Sequence, residues 1–252
     1  MISDIRALLE SSADPENSIF SAGLTPGCGK LLGVRLPRLR EIAKDFAKQF
    51  ETNRTEYDAY CAYTLSGKAE YQEEIMIHGL SIGYLKTDIG TVLQYFDAFM
   101  PLDTNWAIND SVCMTMKMFA KHREHVWQFL EPYWKNGKTY YIRAALVIML
   151  SQFVTEEYLP RILAVIDTVC PASADAVSGV VHNDDYYVHM AAAWCLSVCY
   201  VKFPEQVMPY LIHARLDDDT YNKALQKIVE SFRCPADIKD CIRSMKRRNR
   251  TD

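Results

Sequence analysis

Apolar residues recur along most of this chain at steps of three and four. In Pro37-Arg-Leu-Arg-Glu-Ile-Ala-Lys-Asp-Phe-Ala-Lys-Gln-Phe50 the residues Leu39, Ile42, Phe46 and Phe50 form one stripe, and Pro37 sits where a first helical turn tolerates it. Similar patterns predict helices over about 2–10, 55–65, 69–86, 88–99, 105–119, 122–134, 139–153, 156–169, 185–202, 205–215, 219–232 and 235–248. Turn chemistry separates them at Ser66-Gly67, Pro101, Asn136-Gly137, Pro171 and Asp217-Asp218-Asp219. No persuasive two-residue alternation marks a strand. Ten Gly and ten Pro are few for an all-β chain of 252 residues, which needs many tight turns. About a dozen helices joined by short connections predict an all-α protein. The stretch from Cys170 to Asp184 has the weakest pattern and reads as a surface insertion with a short helix at 173–181.

The helices also echo one another. Tyr140-Tyr-Ile-Arg-Ala-Ala145 returns 46 residues later as Tyr186-Tyr-Val-His-Met-Ala191, with Thr139 and Asp185 at the matching starts. A weaker copy begins at Asp219-Thr-Tyr-Asn-Lys-Ala224. A period near 40–47 residues is that of HEAT-like helix pairs, which stack into an α-α superhelix, or solenoid, with a concave face. The expected organisation is one such repeat domain over 1–252, with a basic tail at about 246–252.

Composition narrows the function classes. No apolar run approaches the roughly 18 residues of a membrane span, and charges at Asp4, Arg6 and Glu10 do not fit a secretory signal. The chain is therefore expected in the cytoplasm, away from membranes, with its eight Cys reduced. None forms a C-x-x-C pair. Cys195 and Cys199 share one helix face and read as core residues, so no metal site is expected. The net charge of −4 gives no global attraction for polyanions. Basic residues nevertheless cluster. Lys30, Arg35, Arg38, Arg40, Lys44 and Lys48 face only Glu41 and Asp45 within 30–48, and Lys246, Arg247, Arg248 and Arg250 crowd the end of the chain.

Familiar catalytic motifs fail. Gly27-Cys-Gly-Lys30 suggests a phosphate loop, but Leu24 and Leu31 stand where that motif requires Gly and Ser or Thr. His122 and His125 are read as surface residues near a helix start. What survives is Asn105-Trp106-Ala-Ile-Asn-Asp110. It places an indole and a carboxylate four residues apart on one helix face, after the capping region Asp103-Thr104. Arg143 lies early in the helix beginning at Thr139, and Trp194 deeper in the one beginning near Asp185. Inner helices stacked in a solenoid would bring the four side chains to one wall.

Leu32-Gly-Val-Arg-Leu-Pro-Arg-Leu-Arg-Glu-Ile-Ala-Lys44, Asn105-Trp-Ala-Ile-Asn-Asp-Ser-Val112, Tyr141-Ile-Arg-Ala-Ala145 and Tyr186-Tyr-Val-His-Met-Ala-Ala-Ala-Trp194, in this order and spacing, resemble the DNA alkylation repair glycosylases of the AlkC/AlkD type. The resemblance spans about 15–248 and implies excision of cationic alkylated purines, such as 3-methyladenine and 7-methylguanine, from double-stranded DNA. It implies that Trp106, Asp110 and Trp194 surround the lesion, with Asp110 stabilising the positive sugar of the transition state, and that Arg143 grips a phosphate. Arg35, Arg38, Arg247 and Arg248 are the basic residues expected to add DNA contacts. The enzyme is expected to need no cofactor and to act as a monomer. The residues by themselves leave a second class open, a HEAT-like module that binds nucleic acid or protein without chemistry.

Overall fold

The computed structural model describes residues 1–135, 137–172 and 185–247. Among these residues every regular element is helical, and β-type pairing is limited to two isolated bridges, Lys30 with Tyr71 and Pro171 with Leu216. The fold is all-α and of the helical-repeat, α-α solenoid class, as the periodicity and the 46-residue echo predict. Contacts gather into two compact units, Met1–His122 and Arg123–Asp252.

The first unit opens with α1 (Ile2–Ser11), which buries Ile5 and Leu9. Next comes α2 (Pro15–Leu24), capped by Asp14, whose carboxylate accepts the Asn17 amide at 3.0 Å. Helix α3 (Leu36–Ala47) turns the predicted stripe of Leu39, Ile42 and Phe46 into the core. After the single turn α4 (Gln49–Thr52), α5 (Arg54–Leu65) brings Tyr57 and Tyr60 against Phe46, with ring centroids 4.8 and 4.7 Å away. Each such aromatic pair contributes about 0.5–1.5 kcal/mol beyond the area it buries.

Helix α6 (Gln72–Ile82) is central and covered on nearly every side. Its Glu74 is fully buried but satisfied: Arg6 approaches at 3.1 Å, the Tyr63 hydroxyl at 3.0 Å, and the amides of Glu70 and Tyr71 at 2.8 and 3.1 Å. Gly79 lets its neighbours close in, since a Cβ there would stand 2.5 Å from both Phe99 Cζ and Val112 Cγ2. Those atoms belong to α7 (Ile89–Phe99) and α8 (Trp106–Cys113).

The second unit contains α9 (Arg123–Lys135), α10 (Thr139–Ile148), α11 (Leu159–Val169), α12 (Tyr186–Lys202), α13 (Pro204–His213), α14 (Asp218–Glu230) and α15 (Ala236–Ser244). Helix α10 runs on into a π turn, Met149–Phe153. The echoed segments are neighbours in space. Helix α12 packs against both α10 and α14. Thr139 donates its hydroxyl to the Asp185 carboxylate at 2.6 Å, start to start, while His189 Nδ1 lies 2.6 Å from Thr220 Oγ1. Cys195 and Cys199 are core residues of α12, as read from their spacing.

Some boundaries differ from the periodicity. The helix expected over 105–119 stops at Cys113. There the Thr115 hydroxyl donates to the Val112 carbonyl at 2.7 Å, competing with the helical ladder before a short 3-10 stretch at Lys117–Lys121. The cap of α8 is Asn105 rather than the preceding Asp103-Thr104. Helix α2 was not expected at all, because it buries no side chain and so shows no inward stripe. The short helix expected at 173–181, Asn136, and the tail beyond Arg247 lie outside the described residues.

Candidate active site

Helix α8 is bolted down at its first turn. The Asn105 side-chain oxygen accepts the amides of Ala107 and Ile108 at 3.1 and 3.2 Å, and its Nδ2 donates to the buried Gln72 Oε1 of α6 at 2.8 Å. One amide group thus caps α8 and fixes it to the central helix. One turn on, fully buried Asn109 donates to Asp103 Oδ2 at 2.5 Å. Immediately after these anchored positions, Trp106 and Asp110 are each half-buried. The Trp106 indole donates Nε1 to the Leu24 carbonyl at 3.2 Å.

Trp106 lines a cleft of about 470 Å³ whose walls come from α2, α3, α6 and α8. Arg35, Glu73, Ala107 and Ser111 also line it; Asp110, on the same helix, is not among its lining residues. The loop bearing Arg35 is shaped by Gly33, whose φ is +79° and whose added Cβ would lie 2.1 Å from the Asp14 carbonyl, so only glycine fits. Arg35 reaches Asp14 Oδ2 with Nη2 at 2.8 Å. The Asn17 amide, with the Arg35 guanidinium beside it, holds the Asp14 carboxyl below its usual range. Arg38 pairs with Glu41 at 3.0 Å.

Sequence reasoning passed over Glu73. It is 2 % exposed, and its Oε1 accepts the Gly33 and Val34 amides at 2.7 and 3.3 Å, while Oε2 is buried with no hydrogen-bond partner among the described residues. The available signal was the doublet Glu73-Glu74 directly before the apolar run Ile75-Met76-Ile77. Two consecutive carboxylates on a buried helix need two separate sets of donors.

In the second unit Trp194 is half-buried and lines a groove of about 790 Å³ with Val198, Val201, Lys202, Phe232 and Arg233. Arg143 is 6 % exposed and donates Nη1 to the Tyr187 carbonyl at 2.8 Å. That is a different placing from the phosphate-facing one expected. Arg247 is likewise turned inward. Its guanidinium donates to the Leu216 carbonyl at 2.7 Å and to the Ala214 carbonyl, and lies 3.8 Å from the centre of the Tyr221 ring. Arg248 lies outside the described residues.

The four tryptophans divide cleanly. Trp127 and Trp134 are core, 7 and 8 % exposed and 5.2 Å apart between ring centroids, whereas Trp106 and Trp194 each line an open cavity. A sequence model of the DNA alkylation repair enzyme family matches residues 5–228, which covers α1 through most of α14. The chain belongs to the DNA alkylation repair enzyme family. No curated protein and no solved structure matches it. Membership makes DNA repair the setting in which the half-buried indoles are to be read. No helix among the described residues of this family member is long and apolar enough to cross a membrane.

Proposed function

We propose that this member of the DNA alkylation repair family is a glycosylase that hydrolyses the N-glycosidic bond of cationic alkylated purines, 3-methyladenine and 7-methylguanine among them, in duplex DNA. Alkylation of a ring nitrogen leaves a base that is already cationic and departs without being protonated. The demand on the protein then falls on the sugar, where positive charge develops as the bond breaks. Asp110 is the carboxylate assigned to that charge and to orienting the attacking water. Deleting one group aimed at developing charge typically costs about 3–4 kcal/mol. Trp106 offers a ring face that favours a cation by roughly 0.5–2 kcal/mol, and Trp194 offers a second indole on the other unit.

Arg35 and Arg38, at the start of α3, are the proposed phosphate contacts. Arg143 and Arg247 are assigned to holding helices in place, through the Tyr187 carbonyl and the Leu216 and Ala214 carbonyls. The reading rests most on one observation. Trp106, with Asp110 one turn further on, is held by a doubly anchored helix start at an open cleft, in a chain of this repair family.

The test is release of 7-methylguanine from methylated duplex at low salt. Asp110→Asn should lower the rate tenfold or more while the melting temperature stays within a few degrees. Wild-type protein that frees no alkylated base sinks the enzyme reading. A HEAT-like module that binds nucleic acid or protein without chemistry is the second reading, favoured by the position of Asp110 outside the lining of the Trp106 cleft; it predicts duplex binding that Asp110→Asn leaves intact or tightens.

A further inference from the structure

The cysteine spacing gives no metal motif, but the fold joins what the sequence keeps apart. Cys170 ends α11, His189 lies in the first turn of α12, and Asp217 caps α14. One ligand atom from each, a sulfur, an imidazole nitrogen and a carboxylate oxygen, all lie within 4.8 Å of one another. The backbone around them is clamped. Asp217 donates its amide to the Cys170 carbonyl at 3.2 Å, and Ala172 donates to the Arg215 carbonyl at 2.9 Å, on either side of the Pro171–Leu216 bridge. The sulfur and the carboxylate therefore come from two segments bonded to each other, and the imidazole from a rigid helix packed beside them.

An unpaired oxygen gives a second, separate indication. Asp217 Oδ1 accepts the Thr220 amide at 2.8 Å and faces His189 Nδ1 at 3.3 Å. Its Oδ2 is buried and has no hydrogen-bond partner among the described residues. Helix capping uses only one oxygen, and Ser or Asn would serve it equally well without burying a second. A carboxylate here has capacity to spare for a cation.

We propose that Cys170, His189 and Asp217 form a binding site for a divalent transition-metal cation, zinc above all, with one coordination position left open. Thiolate, imidazole and carboxylate are the three donor types zinc takes from proteins, and three protein ligands with an open fourth position is a standard arrangement. Zinc bonds of about 2.0–2.3 Å put tetrahedral donors roughly 3.3–3.8 Å apart, so the present separations close by small side-chain rotations. Coordination by the Cys170 sulfur as thiolate releases the thiol proton to solvent. A bound ion would tie the end of α11 to the starts of α12 and α14. None of this depends on the glycosylase reading.

The experiment uses the full chain, stripped with a chelator and titrated with Co²⁺ and then Zn²⁺. One Co²⁺ per chain should bind and produce thiolate-to-cobalt charge-transfer absorption in the near ultraviolet, and Zn²⁺ should displace it. Cys170→Ser should abolish that band. Asp217→Asn, which keeps the cap, should retain the band but weaken binding at least tenfold. A zinc-soaked crystal of the wild type should give an anomalous peak between the three side chains, whatever the variants do. No saturable uptake, a band unchanged in Cys170→Ser, or an anomalous peak elsewhere overturns the proposal.

Discussion

His78 lies buried beside Phe99, its Nδ1 2.7 Å from the Thr64 hydroxyl and its ring edge-on to Phe99 at 5.1 Å. Burial drives its pKa down to about 3, so the folded ring is neutral at any ordinary pH. The unfolded chain takes up a proton below about pH 6.5. The stability owed to a neutral His78 is therefore complete above about 6.5 and is lost as pH falls toward 3, at about 1.4 kcal/mol per pH unit. His78 should contribute about 2 kcal/mol to the loss of unfolding free energy between pH 7 and pH 5, and in denaturant unfolding His78→Asn should remove that contribution even though it lowers stability overall. At this scale the sequence yields one-turn relations and little more. Trp106 and Asp110 share a helix face because they are four apart, and that much is legible. The burial of Arg143 depends on Tyr187, 44 residues later, and the donors to Glu73 come from Gly33 and Val34, 40 and 39 residues earlier. No local pattern announces either.

Elements are legible in proportion to how one-sidedly they bury apolar surface. Helix α3 shows a clear stripe because Leu39, Ile42 and Phe46 face inward while Arg38, Glu41 and Lys44 face water. Helix α2 shows none, since Ile19, Phe20 and Leu24 are all exposed; its only sequence marks are the Asp14 cap and Pro15 in the first turn. The start of α8 offers a direct test of how a cap supports a site. Asn105→Ala removes the bonds to Ala107 and Ile108 and leaves Gln72 Oε1 without that donor. The expected loss is about 1–2 kcal/mol, read as a lower melting temperature. Excision should slow as well, since Trp106 is the next residue. Unchanged stability would mean that the Asn105 bonds do not hold the helix start.

On the scale of the molecule, helical periodicity and the 46-residue echo were enough to establish the fold class, because a repeat states its own packing: Thr139 meets Asp185 across one period. The division at His122 and Arg123 left no such trace, for it falls within the charged run Lys121-His122-Arg123-Glu124 without Gly or Pro. Charge is the other property of the whole. The chain carries a net −4, and the basic patch is already partly matched, Arg35 by Asp14, Arg38 by Glu41, Lys30 by Glu70 and Lys48 by Asp45. Duplex binding should accordingly be weak and shallow in salt. With two phosphates neutralised, the slope of log affinity against log salt is about −1.8. Arg35→Ala should reduce its magnitude by about 0.9 in fluorescence anisotropy titrations; an unaltered slope would remove Arg35 from the contact surface.

The indole of Trp106 is moored to the carbonyl of Leu24, at the end of a helix that gives nothing to the interior. Ile19, Phe20 and Leu24 are exposed, so changes along them cost folding little, while Asn17 and Ser21 of the same helix line the cleft beside that ring. If the chain is the glycosylase proposed above, its choice among lesions is free to drift on α2 while the scaffold beneath stays as it is.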